Sequence, residues 1–212
     1  GTDEAYDFKG NLLRTRRLLL ADYRTPPDWA TGPALNAHDS LQTSATYDAL
    51  DRPLTQTAPD GSTQRFAYDD GGRPLGVALQ RGGGSASTDH VKRLEYNAKG
   101  QALTIEYGNG AVSTHDYDRI TSRLSRLRTR RFGTQFAADC PTPPTQGWEG
   151  CGLQDLHYTY DPVGNITRLQ DAAQQTIYFG NRRVDPVAEY AYDPLYRLLR
   201  ASGREHVGQR AG

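Results

Sequence analysis

Methionine is absent from all 212 residues, cysteine occurs twice, and the large apolar aromatics are sparse, with five phenylalanines and two tryptophans. Each shortage excludes something. Without even an initiator methionine, the chain is expected to be a piece of a longer polypeptide. Cys140 and Cys151 sit in a Pro/Gly-rich stretch with no CxxC and no paired-histidine spacing, which argues against a metal site. A disulfide closing that loop and a pair of free thiols both remain open. No run of about 18 apolar residues occurs, so no membrane-spanning helix is expected, and the first residues carry no basic, apolar leader. The 25 Lys plus Arg balance the 25 Asp plus Glu, leaving no broad field to gather nucleic acid or an anionic membrane.

What the chain has is tyrosine and glycine. Thirteen Tyr and 22 Gly, with 12 Pro, describe a turn-rich protein with a thin core whose aromatic surface carries hydroxyls that need water or a partner. The tyrosines are placed regularly. Tyr-Asp or a near variant recurs at Tyr6-Asp7, Tyr47-Asp48, Tyr68-Asp69, Tyr96-Asn97, Tyr117-Asp118, Tyr160-Asp161 and Tyr192-Asp193. The separations of 41, 21, 28, 21, 43 and 32 residues read as a basic period near 21, skipped or lengthened by insertions.

Counting from each Tyr as position i, position i+7 is Leu13, Leu54, Leu75, Leu103, Leu124, Thr167 and Leu199, and position i+4 is glycine at Gly10, Gly72, Gly100 and Gly164. The spacing predicts hairpins whose four-residue loop runs from i+2 to i+5, with Tyr(i) facing Leu(i+7) and the Asp capping the loop. The next pairs outward, Phe66 with Val77, Leu94 with Ile105 and Tyr158 with Leu169, are apolar and fit that register. A second turn closes each unit, as at residues 59–62 and at Asn109-Gly110. The expected fold is all-β: repeated antiparallel hairpins in one YD-repeat region over residues 1–212, with a Pro/Gly/Cys-containing insertion at 132–152. Strands are expected near 11–20, 41–47, 52–58, 63–68, 74–80, 91–96, 102–107, 111–117, 122–131, 155–160, 165–170, 176–179, 188–192 and 197–201, with little helix. Residues 25–39, 82–89 and 132–152 should be the least regular.

The phrases Tyr160-Asp161-Pro162-Val163-Gly164-Asn165-Ile166-Thr167 and Tyr6-Asp7-Phe8-Lys9-Gly10-Asn11-Leu12-Leu13 resemble the YD repeats of Rhs proteins, wall-associated bacterial proteins, teneurins and the B and C components of insecticidal toxin complexes. Residues 153–160 and 198–206 resemble the toxin-complex shell proteins, the B-type in particular. The resemblance implies a strip of spiralling β-sheet in a hollow shell, secreted or at the cell surface as part of a larger toxin protein. Its partners would be neighbouring YD repeats and an encapsulated toxin polypeptide; an adhesive or glycan-binding module is the alternative. The family's self-cleaving region and its toxin domain have no counterpart in these residues. Tyr96 is followed by Asn97, Tyr117 lacks the turn glycine and Tyr192 has Tyr196 in its place.

No catalytic, cofactor or metal residue emerges. Asp7, Asp48, Asp69, Asp118, Asp161 and Asp193 recur at one turn position, which fits capping rather than acid–base chemistry. The five histidines are scattered without metal spacing, no nucleotide-binding glycine motif opens a helix, and Gly82-Gly83-Gly84 reads as a plain loop. Arg126, Arg128 and Arg130 share one side of a strand, where a solvated face paired with acidic residues of adjacent repeats is expected over a stripe that faces cargo or nucleic acid.

Overall fold

The computed structural model describes residues 2–131 and 152–204, so Cys140, Cys151 and almost all of the 132–152 insertion lie outside the described residues. The described residues form strands and turns and no helix. The chain divides into two units, Gly1–Lys92 and Arg93–Gly212.

In the first unit β1 (Thr2–Tyr6), β2 (Leu12–Leu20), β3 (Leu35–Tyr47), β4 (Pro53–Thr57), β5 (Thr63–Tyr68), β6 (Pro74–Gln80) and the first part of β7 (Ser87–Tyr96) follow one another as an antiparallel sheet in chain order. In the second unit β8 (Ala102–Tyr107), β9 (Val112–Tyr117), β10 (Leu124–Arg130), β11 (Gln154–Tyr160) and β12 (Ile166–Asp171) continue in the same manner, and β12 then pairs with β15 (Val187–Tyr192) and β15 with β16 (Leu198–Ser202). A hairpin of β13 (Ile177–Phe179) and β14 (Arg182–Val184) stands outside that order as its own two-stranded sheet. Of these, β1 and β14 were not expected. β3 and β7 also begin earlier than expected, taking in residues 35–39 and 87–89.

The core is thin. Ala111 is the one buried apolar residue among those described, and it is accompanied by buried Ser113, Thr129 and Asp155. Most repeat leucines stay partly exposed, as with Leu54, Leu75 and Leu103 at 37–39%. Cohesion therefore comes from many cross-strand pairs, each worth about 0.2–1 kcal/mol, rather than from a packed centre.

The register corrects one expectation. Tyr6 pairs with Leu12, Tyr47 with Pro53, Tyr68 with Pro74, Tyr160 with Ile166 and Tyr192 with Leu198, so the tyrosine faces position i+6. The loop is one residue shorter than expected, and the chain absorbs the odd residue, Leu13, Leu54, Leu75, Thr167 or Leu199, as a bulge directly after it. Beyond the bulge the expected register returns, with Phe66 opposite Val77 and Tyr158 opposite Leu169. Tyr117 instead pairs at i+7, with Leu124, because its loop holds one more residue.

Candidate functional site: the Tyr-Asp turn ladder

Each Tyr-Asp loop closes through two backbone bonds. In the first, Gly10 N–H donates to Asp7 O (3.1 Å) and Asp7 N–H to Asn11 O (3.0 Å). The same pair recurs at residues 48–52, 69–73, 97–101, 161–165 and 193–197. This geometry needs a left-handed residue at i+4. Gly10, Gly72, Gly100 and Gly164 supply it with φ between 78° and 113°, while Asp51 and Tyr196 take φ of 62° and 63° at the equivalent place. The longer loop after Tyr117 uses Ser122, φ 59°, instead.

The aspartates cap these loops. Asp7 Oδ1 accepts the N–H groups of Lys9 (2.9 Å) and Asn11 (2.8 Å), and its Oδ2 accepts the Asn11 amide. Asp48, Asp69 and Asp193 do the same with Arg52, Arg73 and Arg197, each arginine giving both its backbone N–H and its Nε–H. Where the aspartate is replaced by Asn97, Gln101 takes the matching role, accepting the Asn97 amide at 2.9 Å. The partner at i+5 is a side chain that completes the cap, and the sequence reading included it in the repeat only at Asn165, although Asn11, Arg52, Arg73, Gln101 and Arg197 stand in register with it.

These bonds hold the turn carboxyls below the usual carboxylate range. The main cause is the Asn11 side chain for Asp7, the Arg52, Arg73 and Arg197 N–H groups for Asp48, Asp69 and Asp193, and the Thr121 N–H for Asp118. At Asp161 desolvation pushes upward, and the bonds from Asn165 and Gly164 outweigh it.

The tyrosine hydroxyls explain why the repeat uses Tyr and not Phe. Tyr47, Tyr68, Tyr117, Tyr160 and Tyr192 each donate to a carbonyl of the preceding hairpin: Leu12, Pro53, Ala102, Leu124 and Ile166, at 2.8–3.2 Å. Every acceptor is the first residue of an outgoing strand. The phenol is thus a staple between hairpins. Tyr160→Phe should lower stability by about 1 kcal/mol in denaturant titration, because the Leu124 carbonyl loses its donor, while Tyr23→Phe, at a side chain 80% exposed, should change nothing.

Arginine completes the links between loops. The Arg52 guanidinium lies 4.7 Å from the Tyr68 ring centre, and that of Arg123 lies 5.7 Å from the Tyr160 ring while donating to Asp161 O and Pro162 O. A Cβ on Gly72 or Gly164 would come within 3.0 Å of these guanidiniums. Elsewhere Lys9 Nζ donates to Ala49 O and pairs with Asp51, and Gln101 donates to Ser122 O.

Arg126 and Arg128 of the stripe find their acid on a neighbouring strand, as expected, but on a largely buried rather than a solvated face. Asp155, its side chain 3% exposed, receives Arg126 through two 2.6 Å bonds, with Arg128 at 3.8 Å and His157 Nε2 at 3.2 Å. Burial pushes the Asp155 carboxyl up, but the Arg126 bonds and the charges of Arg126, His157 and Arg128 prevail and hold it low. The glycine triplet lies in the loop between β6 and β7, and it makes a close contact there: a Cβ on Gly82 would meet Asp60 O at 1.8 Å.

The turn aspartates stand on separate hairpins, each engaged with its own loop. Among the described residues no group of three or more His, Cys, Asp or Glu could hold a metal ion, and no helix is long and apolar enough to cross a membrane.

A model of the RHS repeat matches residues 47–86. Two similar proteins are toxin subunits YenC1 and YenC2 of Yersinia entomophaga. The first is 40% identical over 159 residues, covering 74% of this chain and 15% of the subunit; the second is 37% identical over 202 residues, covering 92% and 20%. Among solved structures, a TcdB2-TccC3-TEV crystal structure superposes with a TM-score of 0.75 at 34% identity, covering 99% of this chain and 9% of that one. The Photorhabdus luminescens Tc holotoxin pore superposes at 0.69 and 34% identity, over 94% and 9%. This chain thus spans a fifth or less of the length of these relatives. With its hairpin chemistry, the matching repeat model and these relatives taken together, the chain belongs to the RHS-repeat (YD-repeat) family, on the side of the toxin-complex subunits.

Proposed function

We propose that this chain is a non-catalytic wall segment of a hollow RHS-repeat shell, part of a secreted or surface-exposed toxin protein, that shields an enclosed polypeptide until delivery. Its partners are neighbouring YD repeats of the same or a companion shell protein, and the whole of 1–212 acts as one repeat region interrupted at 132–152. One observation carries the reading: the hydroxyls of Tyr47, Tyr68, Tyr117, Tyr160 and Tyr192 and the turn carboxylates are engaged in bonds to adjacent backbone, which commits them to holding the sheet together. Such a chain builds surface.

The test uses the full-length subunit with its enclosed polypeptide. Protease should spare that polypeptide in the wild type and digest it when Asp155→Ala weakens the sheet. Equally fast digestion in the wild type and of the free polypeptide would refute shielding.

An adhesive role has one specific support. Tyr23 and Trp29, 80% and 68% exposed, lie in the 21–34 connection, which Ala21 and Ala34 pinch shut at 2.9 Å. Glycan-array binding that disappears on Trp29→Ala would favour it.

A further inference from the structure

The β13–β14 hairpin is the part of the second unit that the ladder leaves out, since β12 bonds directly to β15. It is short, with three paired positions, Ile177 with Val184, Tyr178 with Arg183 and Phe179 with Arg182. Two-stranded hairpins of this size are at best marginally stable alone. Its surface adds little, because Ile177 is 50% and Tyr178 77% exposed. Something else must hold it in place.

Two sets of bonds do so. At the base, Asp171 N–H donates to Pro186 O, Gln174 N–H to Asp171 O and the Gln174 amide to Asp171 Oδ2, which fixes where the connection leaves and re-enters the sheet. Higher up, the Thr176 hydroxyl donates to Asp185 Oδ1 across the hairpin at 2.6 Å and Arg183 Nε lies 2.9 Å from the same oxygen. The remaining support comes from outside the hairpin. Arg204, just beyond β16, sends Nη1 to Gln174 Oε1 (3.0 Å) and Nη2 to Val184 O (3.0 Å) and Gln175 O, so that one guanidinium grips both arms. Its Nε is buried with no hydrogen-bond partner among the described residues, a cost accepted to bring the fork to these acceptors.

We propose that Arg204 is a latch that makes the β13–β14 hairpin a separately opening flap on an otherwise continuous ladder. The three acceptors lie on two arms, one amide oxygen and two backbone carbonyls, and a planar fork reaches them together where a single ammonium point cannot. Opening the flap breaks no bond between β12 and β15, so the wall stays intact while Ile177 and Tyr178 swing free. Arg204 is a positioning residue, and its grip sets how often the flap opens.

Hydrogen exchange read by mass spectrometry on the 212-residue chain tests this. In Arg204→Ala, amides of residues 174–184 should exchange roughly tenfold faster or more, with β11, β12 and β15 unchanged, and Arg204→Lys should behave like the alanine variant rather than the wild type. Unchanged exchange in both variants would overturn the latch. So would acceleration spread evenly over β11, β12 and β15, which would make Arg204 a general support of the sheet, and so would full rescue by lysine.

Discussion

Gly82→Ala should be the most damaging single methyl group that can be added to this chain. The new Cβ would sit 1.8 Å from Asp60 O, 2.8 Å from Asp60 C and 3.2 Å from Gly61 C, and all three obstacles are backbone. Nothing there can rotate away. The Asp60-Gly61 turn must shift bodily, which breaks the Ala58–Ser62 closure and the Gly82 N–H bond to Ser62 Oγ at 3.0 Å. Overpacking of this kind costs about 3 kcal/mol or more, a fall of roughly 10 °C in melting temperature for a sheet this size. The neighbouring position is the control. Gly83 has φ +74° with open space around its missing Cβ, so Gly83→Ala meets only the left-handed backbone penalty, about 1–2 kcal/mol. Thermal unfolding followed by circular dichroism separates the two, and equal melting temperatures would show that the close approach does not matter.

The second large effect is expected at Asp155. Removing its carboxylate strands Arg126 beside a site where the wild-type side chain is 3% exposed, and breaking one side of such a pair costs about 3–5 kcal/mol. Asp155→Ala should lower the urea midpoint accordingly at pH 7. The pH dependence gives a sharper signature. The folded-state carboxyl is held below the ordinary value near 3.9, so its contribution is fully present above that value and fades as pH falls through the lowered folded value. The gap between wild type and Asp155→Asn should therefore be wide at pH 6 and shrink toward pH 2. Constant separation across that range would place the stabilisation in packing instead of charge. The six depressed turn aspartates add to acid sensitivity with the same sign in wild type and variant alike, so they cancel in the comparison.

The sequence made the repeat legible because period and chemistry coincide there. Tyr-Asp marks where each hairpin turns, glycine marks the left-handed residue, and alternation sets Phe66 against Val77. The bulge was hidden by parity. A leucine at i+7 looks the same whether it faces the tyrosine or is the extra residue beside it, and only the length of the closed loop decides. The turn at Tyr192 was obscured for another reason: Tyr196 adopts the left-handed φ that glycine usually announces. Asp155 was invisible because its value comes from register. It stands 29 residues from Arg126 in sequence, and only the pairing of β10 with β11 brings them together. Apart from Asn165, the i+5 cap partners are hard to see in the sequence because Asn, Arg and Gln differ as letters while offering the same complement to the residue at i+1.

In an antiparallel meander the connections alternate between the two borders of the sheet, and here the borders obey different rules. On the Tyr-Asp border the loops keep nearly one length, and within each unit links such as Lys9 to Ala49, Gln101 to Ser122 and Arg123 to Asp161 clasp one loop to another. On the other border the connections run from the short turn at 58–62 to the longer ones at 21–34 and 172–186. A ladder built this way can gain appendages along one hem without disturbing its seam on the other, which gives its connections a single direction in which to lengthen.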